Sequence, residues 1–270
     1  MWYKVLLAAL FGVLEGVTEW LPVSSTGHLI LLRHFVRFPV RDSFFELFEV
    51  VIQLGAILAV LVLYFHTLNP LSRQKSLTER ALTWRLWASV AIAALPAAAI
   101  GLWLDDFLDA HLYRAEVVAS MLILYGILFL FSKKIAGPTA ESRVPGARQA
   151  LLIGGFQVLS LIPGTSRSGA TILGGLVAGL SQQSAAEFSF FLAIPTMLGA
   201  SALKLAKFFS EGNALCTEEI WMLLAGTLTA FLVSLLTIRT LLRFVRRHSF
   251  MPFGVYRIAL GALVLLSLFF

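Results

Sequence analysis

The chain has few charged residues and almost no cysteine. Only 13% of its 270 residues are charged, whereas 59% are hydrophobic. This leaves too little polar surface to cover a soluble globule. The single cysteine, Cys216, excludes an internal disulfide framework. The composition is therefore that of an all-α polytopic membrane protein, in which helices satisfy their own backbone groups.

The sequence also lacks a single basic patch and a signal-peptide cleavage site. The net charge of +6 could indicate nucleic acid, but the lysines and arginines lie between apolar spans and form no single patch, so we expect no nucleic-acid partner. The first apolar run could pass for a signal peptide, yet it leads into Glu15 and Glu19 with no small-residue cleavage site. We expect this segment to be retained.

Six apolar stretches are long enough to cross a bilayer as helices, which takes about 20 residues each. They lie near residues 44–66, 86–104, 115–132, 185–208, 220–238 and 252–270. Two further apolar regions, near 2–38 and 149–182, are interrupted midway by proline and glycine, namely Pro22, Gly27, Pro163, Gly164 and Gly169. Because proline removes a backbone donor and glycine permits unusual backbone angles, each region is predicted to form a re-entrant hairpin of two short helices.

The two interrupted regions resemble each other in sequence. At an offset of 142 residues the matched pairs are Gly12 with Gly154, Glu15 with Gln157, Thr18 with Ser160, Ser24 with Ser166, Gly27 with Gly169 and Ile30 with Ile172. Three crossings follow each hairpin, and an odd number inverts the second copy. We therefore predict one membrane domain, 1–270, with repeat one at 1–132, repeat two at 149–270 and a linker at 133–148. The two polar loops should meet at a shared site.

The charges of the loops predict an orientation. Lysine and arginine concentrate in three segments, 67–85, 133–149 and 239–250, and two other segments are acidic, 105–116 and 209–219. By the positive-inside tendency the basic segments, including the linker, are cytoplasmic. Both termini would then lie outside, and the second hairpin would enter from the cytoplasm. Arg33, Arg37 and Arg41 would lie outside, against the tendency.

Two carboxylates mark the first polar passage. Glu15 and Glu19 stand four residues apart, which places them on one face of a helix. In a desolvated place they would repel each other, so a divalent cation (Mg²⁺ or Ca²⁺) or a shared proton is needed. The alternative is a pair of glutamates at a water-exposed helix end.

Hydroxyls and an imidazole follow the glutamates. Ser24, Ser25 and Thr26 come just after Pro22, and His28 lies three residues beyond Ser25. Such a set offers a nucleophile with its base, or a base that activates water. The alternative is that the serines satisfy backbone groups freed by the proline and that the histidine is structural. Their presence beside two glutamates favours catalysis.

The second polar passage surrounds an arginine with small residues. Gly164, Ser166, Ser168 and Gly169 flank Arg167, and a helix is predicted to begin near Thr171. Small residues let backbone amides approach an anion, and arginine offers a bidentate fork, so we predict an oxyanion cradle. The passage lacks the lysine of a nucleotide P-loop, which argues against ATP. The alternative is that Arg167 pairs with a buried glutamate.

A few polar residues lie inside other spans. Glu49 and Gln53 share a helix face at four-residue spacing and are expected to support the site from a neighbouring helix. Arg257 is a further candidate for support. Glu46 and Glu187 lie near span ends, and are either functional or solvated helix starts.

The two passages resemble those of the bacterial undecaprenyl-diphosphate phosphatase family, also known as bacitracin-resistance proteins. The motifs are Glu-x3-Glu with Pro-x-Ser-Ser-Thr-Gly-His at 15–28 and Pro-Gly-x-Ser-Arg-Ser-x2-Thr at 163–171; both are complete, and the resemblance covers essentially the whole chain. It implies an enzyme of the bacterial cytoplasmic membrane that removes the terminal phosphate of a C55 polyprenyl diphosphate. This would regenerate the carrier lipid for peptidoglycan synthesis.

The resemblance also implies roles for residues. Glu15 and Glu19 would serve metal or proton chemistry, Ser25 would be the candidate nucleophile and His28 an acid or base. Phosphate binding would involve Arg167 with Ser166, Ser168 and Thr171. We expect Ser24, Thr26 and Gly164 to contact the phosphate as well. The family further implies a homodimer and a site reached from the outer side of the membrane. A transporter or flippase of an anionic polyprenyl phosphate is the alternative, because inverted repeats with broken helices are characteristic of transporters.

Overall fold

The computed structural model describes residues 2–112, 114–137 and 144–267. Within these ranges the chain forms helices and no strand. In chain order they are α1 (Trp2–Thr18), α2 (Ser25–Phe35), α3 (Asp42–Leu63), α4 (Phe65–Leu68), α5 (Leu77–Leu112), α6 (Ala115–Leu130), α7 (Ser132–Ile135), α8 (Ala147–Leu159), α9 (Arg167–Val177), α10 (Gln182–Ser210), α11 (Thr217–Val245) and α12 (Met251–Ser267). Part of the predicted linker, 138–143 with Arg143, lies outside the described residues.

The six predicted crossings correspond to α3, α5, α6, α10, α11 and α12. Among the described residues, α3, α10, α11 and the Leu77–Leu104 part of α5 are long and apolar enough to cross a membrane, and α6 and α12 supply shorter apolar helices. The all-α membrane fold is therefore confirmed. Helices α5 and α11 extend beyond the predicted apolar spans, since a helix continues into its polar flanks for as long as its backbone bonds are made.

Both interrupted regions form two helices joined by a short irregular loop, as predicted. The first loop, 19–24, separates α1 from α2, and the second loop, 160–166, separates α8 from α9. Helix α9 begins at Arg167, so the prediction of a start near Thr171 is wrong. The physical reason is the cap: Ser166 Oγ accepts a hydrogen bond from the Gly169 amide at 3.1 Å.

The two loops end in the same backbone conformation. Ser24 caps α2 as Ser166 caps α9, with its Oγ accepting from the Gly27 amide at 3.3 Å. Both serines have a φ of 72°, and within the described chain they are the non-glycine residues with positive φ. The sequence match of Ser24 with Ser166 is thus a match of backbone geometry.

Helix packing is exchanged between the two halves of the chain. Helix α1 packs along α11, and α8 packs along α5, so the first helix of each hairpin lies against the second crossing of the other half. Helices α3 and α10 contact each other, as do α6 and α12. This exchange is what a two-fold relation between repeats would give; the repeat boundaries at 132 and 149 stay predictions.

Matched glycines permit this packing. A Cβ added to Gly12 would lie 2.3 Å from the carbonyl oxygen of Gly226 in α11, and one added to Gly154 would lie 2.6 Å from that of Ala93 in α5. Small residues let membrane helices approach closely where no hydrophobic force drives them together. The pairing of Gly12 with Gly154 in the sequence therefore reflects two equivalent close approaches.

Ion pairs join loops at one end of the bundle. The pairs are Lys4 with Glu218 at 2.8 Å, Arg33 with Asp42 at 2.5 Å and Arg41 with Glu219 at 2.8 Å. They bring the start of α1, the turn between α2 and α3 and the turn between α10 and α11 to the same end. Two of the arginines that run against the positive-inside tendency are therefore paired with carboxylates.

We predict that Gly154→Ala lowers the free energy of unfolding by about 1 to 3 kcal/mol, because the added methyl group overlaps the Ala93 carbonyl and approaches the Pro96 ring. Gly155→Ala is the control on the same helix, since nothing lies within 4 Å of its added Cβ. Thermal unfolding in detergent, followed by tryptophan fluorescence, compares the two. Equal melting temperatures would contradict the close approach.

A second prediction concerns the strained serine. Ser24→Ala keeps a side chain at positive φ and loses the cap, so it should cost about 0.5 to 2 kcal/mol of stability. Ser24→Gly loses the same cap but relieves strain on the order of 1 to 3 kcal/mol, and should be at least as stable as the native protein. The same melting experiment decides. A glycine variant less stable than the alanine variant would refute the strain argument.

Candidate active site

The two hairpin loops meet around a small polar cavity of about 130 Å³. It is lined by Glu19, Ser24, Ser25, Thr26, Gln53, Ser160, Leu161, Pro163, Gly164, Ser166, Arg167 and Met197. The first hairpin supplies the carboxylate and most of the hydroxyls, and the second supplies the arginine and the glycine-containing turn. The structure thus brings the two polar passages together, as the sequence pattern indicated.

The Glu19 carboxylate is the junction of the two loops. Ser25 Oγ donates a hydrogen bond to Glu19 Oε2 at 2.8 Å, and Arg167 Nη2 donates to Glu19 Oε1 at 2.7 Å. Glu19 is only 6% exposed and Ser25 8%, so both bonds are formed in a poorly hydrated environment. A hydroxyl and a guanidinium are therefore held on opposite oxygens of one carboxylate.

Arg167 is fixed by more than the glutamate. Its Nη1 donates to the carbonyl oxygen of Ser189 in α10 at 2.7 Å, and its guanidinium lies 5.7 Å from the ring centre of Trp20. Its Nε is buried and has no hydrogen-bond partner among the described residues. The alternative that Arg167 pairs with a buried glutamate holds, but that glutamate is Glu19, itself part of the cavity. Nε remains as a donor for a ligand.

The remaining hydroxyls of the second passage divide into two groups. Ser166 lines the cavity while it caps α9. Ser168 and Thr171 are buried and do not line it: Ser168 Oγ donates to the Leu21 carbonyl at 3.2 Å, and Thr171 Oγ1 bonds with Ser189 Oγ at 2.7 Å. Ser168 therefore holds the first loop, and Thr171 holds Ser189, which binds Arg167. Ser166 is placed to contact a ligand.

His28 does not line the cavity. Its Nδ1 lies 2.7 Å from the Ser24 carbonyl oxygen, which can only accept, so Nδ1 carries the hydrogen. In the neutral ring Nε2 then accepts from the Tyr256 hydroxyl at 2.6 Å. Both ring nitrogens are therefore used by contacts other than Ser25. The hydroxyl of Ser25 faces Glu19 instead.

Glu15 does not line the cavity and is buried one helical turn before Glu19. It is 0% exposed, and neither carboxylate oxygen has a hydrogen-bond partner within the described residues. Its carbonyl accepts from the Glu19 amide at 3.0 Å, so the two glutamates stand one helical turn apart. A buried carboxylate without donors requires a cation or a proton.

These carboxylates fit a hard divalent cation. Oxygen ligands are those that Mg²⁺ and Ca²⁺ prefer. In the described part of the chain, no three His, Cys, Asp or Glu side chains are arranged so that they could hold a metal ion together. A cation here would therefore be held by Glu15 and Glu19 and would take its other ligands from phosphate and water, as Mg²⁺ commonly does.

The supporting residues predicted from the sequence are found at different depths. Gln53 reaches the cavity from α3, with Glu49 one turn before it. Glu46 lies at the surface, where its carboxylate is 3.6 Å from Lys204. Arg257 is fully buried behind the two loops.

Sequence reasoning missed several contributors, namely Ser160, Ser189, Met197 and Tyr256. Ser160 stood out only as the match of Thr18. Ser189 is a polar residue within an apolar span, a signal that could have been used. Met197 carries no polar signal, because its contribution is a thioether 3.5 Å from the Arg167 guanidinium.

Comparison with known proteins identifies the family of this chain. The family model described as bacitracin resistance protein BacA matches residues 8–263. Relatives named undecaprenyl-diphosphatase include one from Enterococcus faecalis, 51% identical with 96% of this chain and 95% of the relative covered, and one from Lactococcus lactis subsp. lactis, 52% identical with 97% and 96% covered. A third, from Streptococcus suis, is 50% identical with 100% and 98% covered. The resemblance is confirmed: the chain belongs to the bacitracin resistance protein BacA family.

Proposed function

We propose that this membrane protein hydrolyses undecaprenyl diphosphate to undecaprenyl phosphate and inorganic phosphate. The activity would recycle the lipid carrier of cell-wall synthesis and confer resistance to bacitracin. Relatives that are 50% to 52% identical over nearly the whole of both chains carry the name undecaprenyl-diphosphatase. The observation that carries the proposal is the Glu19 carboxylate, which bonds to both Ser25 and Arg167 inside one cavity.

Glu19 is the base in this proposal. Ser25 Oγ forms a bond to the terminal phosphorus, and its proton passes to Glu19 Oε2, to which it already donates at 2.8 Å. The bond from that phosphorus to the bridging oxygen breaks, and its electron pair leaves on the polyprenyl phosphate. Water then attacks the phosphoserine, the Glu19 proton returns to Oγ, and the released phosphate keeps the oxygen and protons of the water.

Arg167 holds the phosphate in this proposal. Its buried Nε has no partner among the described residues and can donate to a phosphate oxygen while Nη2 stays bonded to Glu19. Because its bond to Ser189 keeps the guanidinium in place, little ordering is left for the substrate to impose. Catalysis of phosphoryl transfer consists mainly of such positioning and charge stabilisation.

A divalent cation, Mg²⁺ or Ca²⁺, would be held by Glu15 and Glu19. When bound it would neutralise phosphate charge. The unpartnered carboxylate oxygens of Glu15 support this assignment. Glu15 would serve in this proposal only to hold the cation.

We also propose that the site opens to the outer side of the bacterial cytoplasmic membrane. Lysine and arginine concentrate in segments 67–85, 133–149 and 239–250, which the positive-inside tendency assigns to the cytoplasm. The first hairpin would then enter from the outer side, which supports this orientation. A homodimer is a further proposal, supported by the family resemblance.

Release of inorganic phosphate is the experiment that tests the function. Purified protein in detergent, given a polyprenyl diphosphate and Mg²⁺, should release phosphate. Binding without release would favour the transporter or flippase, which needs Arg167 but no nucleophile. Omission of the cation with added chelator tests the assignment of Glu15.

We predict that Glu19→Ala, Arg167→Ala and Ser25→Ala each lower turnover at least about a hundredfold, as expected for the loss of a base, a charge partner and a nucleophile. Glu46→Ala is the control, because Glu46 pairs only at the surface with Lys204, and should stay within about threefold of native turnover. Near-native turnover of the Glu19 or Arg167 variant would defeat the assignment.

Trapping of a phosphoenzyme separates the two modes of attack. With labelled substrate and rapid acid quench, the native protein should carry phosphate on Ser25 and Ser25→Ala should carry none. Turnover of Ser25→Ala without a trapped intermediate would indicate direct attack by water.

A further prediction separates Glu19 from His28 as the base. His28→Asn retains a donor for the Ser24 carbonyl, so it should lose no more than about tenfold in turnover, below the 100- to 10,000-fold that general acid–base catalysis contributes. Glu19→Gln keeps the shape of Glu19 but removes the base, and should lose at least about a hundredfold. The opposite order would assign the proton transfer to His28.

A further inference from the structure

Arg257 in α12 is a buried cation whose guanidinium bonds to backbone carbonyls. Its side chain is 0% exposed, and no carboxylate pairs with it in the described part of the chain. Nη2 donates to the carbonyl oxygens of Gly164 and Thr165 at 2.9 Å each, and Nη1 donates to that of Pro22 at 3.1 Å. Two longer bonds reach carbonyls of α6 at 3.3 and 3.4 Å.

The acceptors place Arg257 directly behind both catalytic loops. Pro22 lies two residues before Ser24 in the first loop, and Thr165 immediately precedes Ser166 in the second. Arg257 does not line the cavity itself. Burial of an unpaired charge is costly, but the loop carbonyls need hydrogen-bond donors that apolar packing cannot supply. The bonds therefore indicate that Arg257 holds the backbone of both loops.

The second loop shows how these bonds orient a peptide unit. In a trans peptide the C=O and N–H point in opposite directions, and the described chain has no cis peptide. Because Arg257 holds the Thr165 carbonyl, the amide of Ser166 in the same peptide unit points away from Arg257. Ser166 lines the cavity, and its amide donates to no acceptor among the described residues. The amide is left for a ligand.

We propose that Arg257 is a positioning residue for the diphosphate group, and this rests on the proposed function. It holds the Thr165 peptide so that the Ser166 amide faces the phosphate, next to the Arg167 guanidinium. Its bond to Pro22 holds the loop that precedes Ser25 at a fixed distance from this amide. A lysine would keep the charge but has three donors on one nitrogen, which cannot span acceptors in two loops and α6.

The test compares Arg257→Lys with Gly261→Ala. Gly261 lies one turn further along α12, and its added Cβ would be 2.8 Å from the Ala119 carbonyl of α6. That variant strains the contact between α6 and α12 without touching the guanidinium. Melting temperature, kcat and KM for farnesyl diphosphate are measured for both in detergent. We expect both to melt below the native protein, but only Arg257→Lys to lose at least about tenfold in kcat.

A second readout does not depend on hydrolysis. Inorganic pyrophosphate should raise the melting temperature of the native protein and of Gly261→Ala, and should leave that of Arg257→Lys unchanged. If the native protein releases no phosphate but shows this pattern, the proposed function fails and the positioning role stands. If kcat of folded Arg257→Lys is within threefold of native and pyrophosphate still stabilises it, the inference is overturned.

Failure to fold is also decisive. Arg257→Gln is a second variant that retains a donor amide at lower desolvation cost. If neither this variant nor Arg257→Lys gives folded protein, Arg257 serves the fold alone and the positioning role is rejected.

Discussion

Backbone that leaves a helix inside a membrane must find its hydrogen-bond partners within the protein. Both hairpin loops of this chain meet that requirement through a small set of side chains. Ser24 and Ser166 satisfy the first amides of the second helices, and Arg257 satisfies carbonyls of both loops. Because Ser25 and Arg167 directly follow these loops, the groups that satisfy the backbone also set the geometry of the cavity. The same side chains therefore determine both the stability of the fold and the arrangement of the site.

Much of the fold could be predicted from the sequence because its signals are local. Length and hydropathy identify the crossings, and proline with glycine identifies the breaks. The start of α9 could not be placed, because Ser166 adopts a φ of 72° that a serine rarely takes and that no propensity predicts. The exchanged packing of α1 and α8 was also beyond local signals, since it depends on contacts between distant parts of the chain.

The site was predictable as a set of residues but not as a set of contacts. The sequence indicates a site because it places two glutamates, an arginine and hydroxyls among apolar residues. Charged side chains at membrane depth are costly and usually serve a function. The three-residue spacing of Ser25 and His28 is compatible with a hydroxyl–imidazole pair, yet the Ser24 carbonyl and Tyr256 engage both ring nitrogens. The hydroxyl instead contacts Glu19, across the break that separates α1 from α2. Such competition for partners is decided by tertiary structure.

The exchanged helix packing also governs the order in which the protein can assemble. The close partner of α1 is α11, which begins at Thr217, so the Gly12 face of α1 has no permanent neighbour until most of the chain has been synthesised. The partner of α8 is α5, which is already present when α8 emerges. The second hairpin can therefore pack on α5 during synthesis, whereas α1 lacks its α11 contact until later. The helix contacts that hold the Glu19 loop through α1 are therefore completed last, although the residues that line the cavity end at Met197.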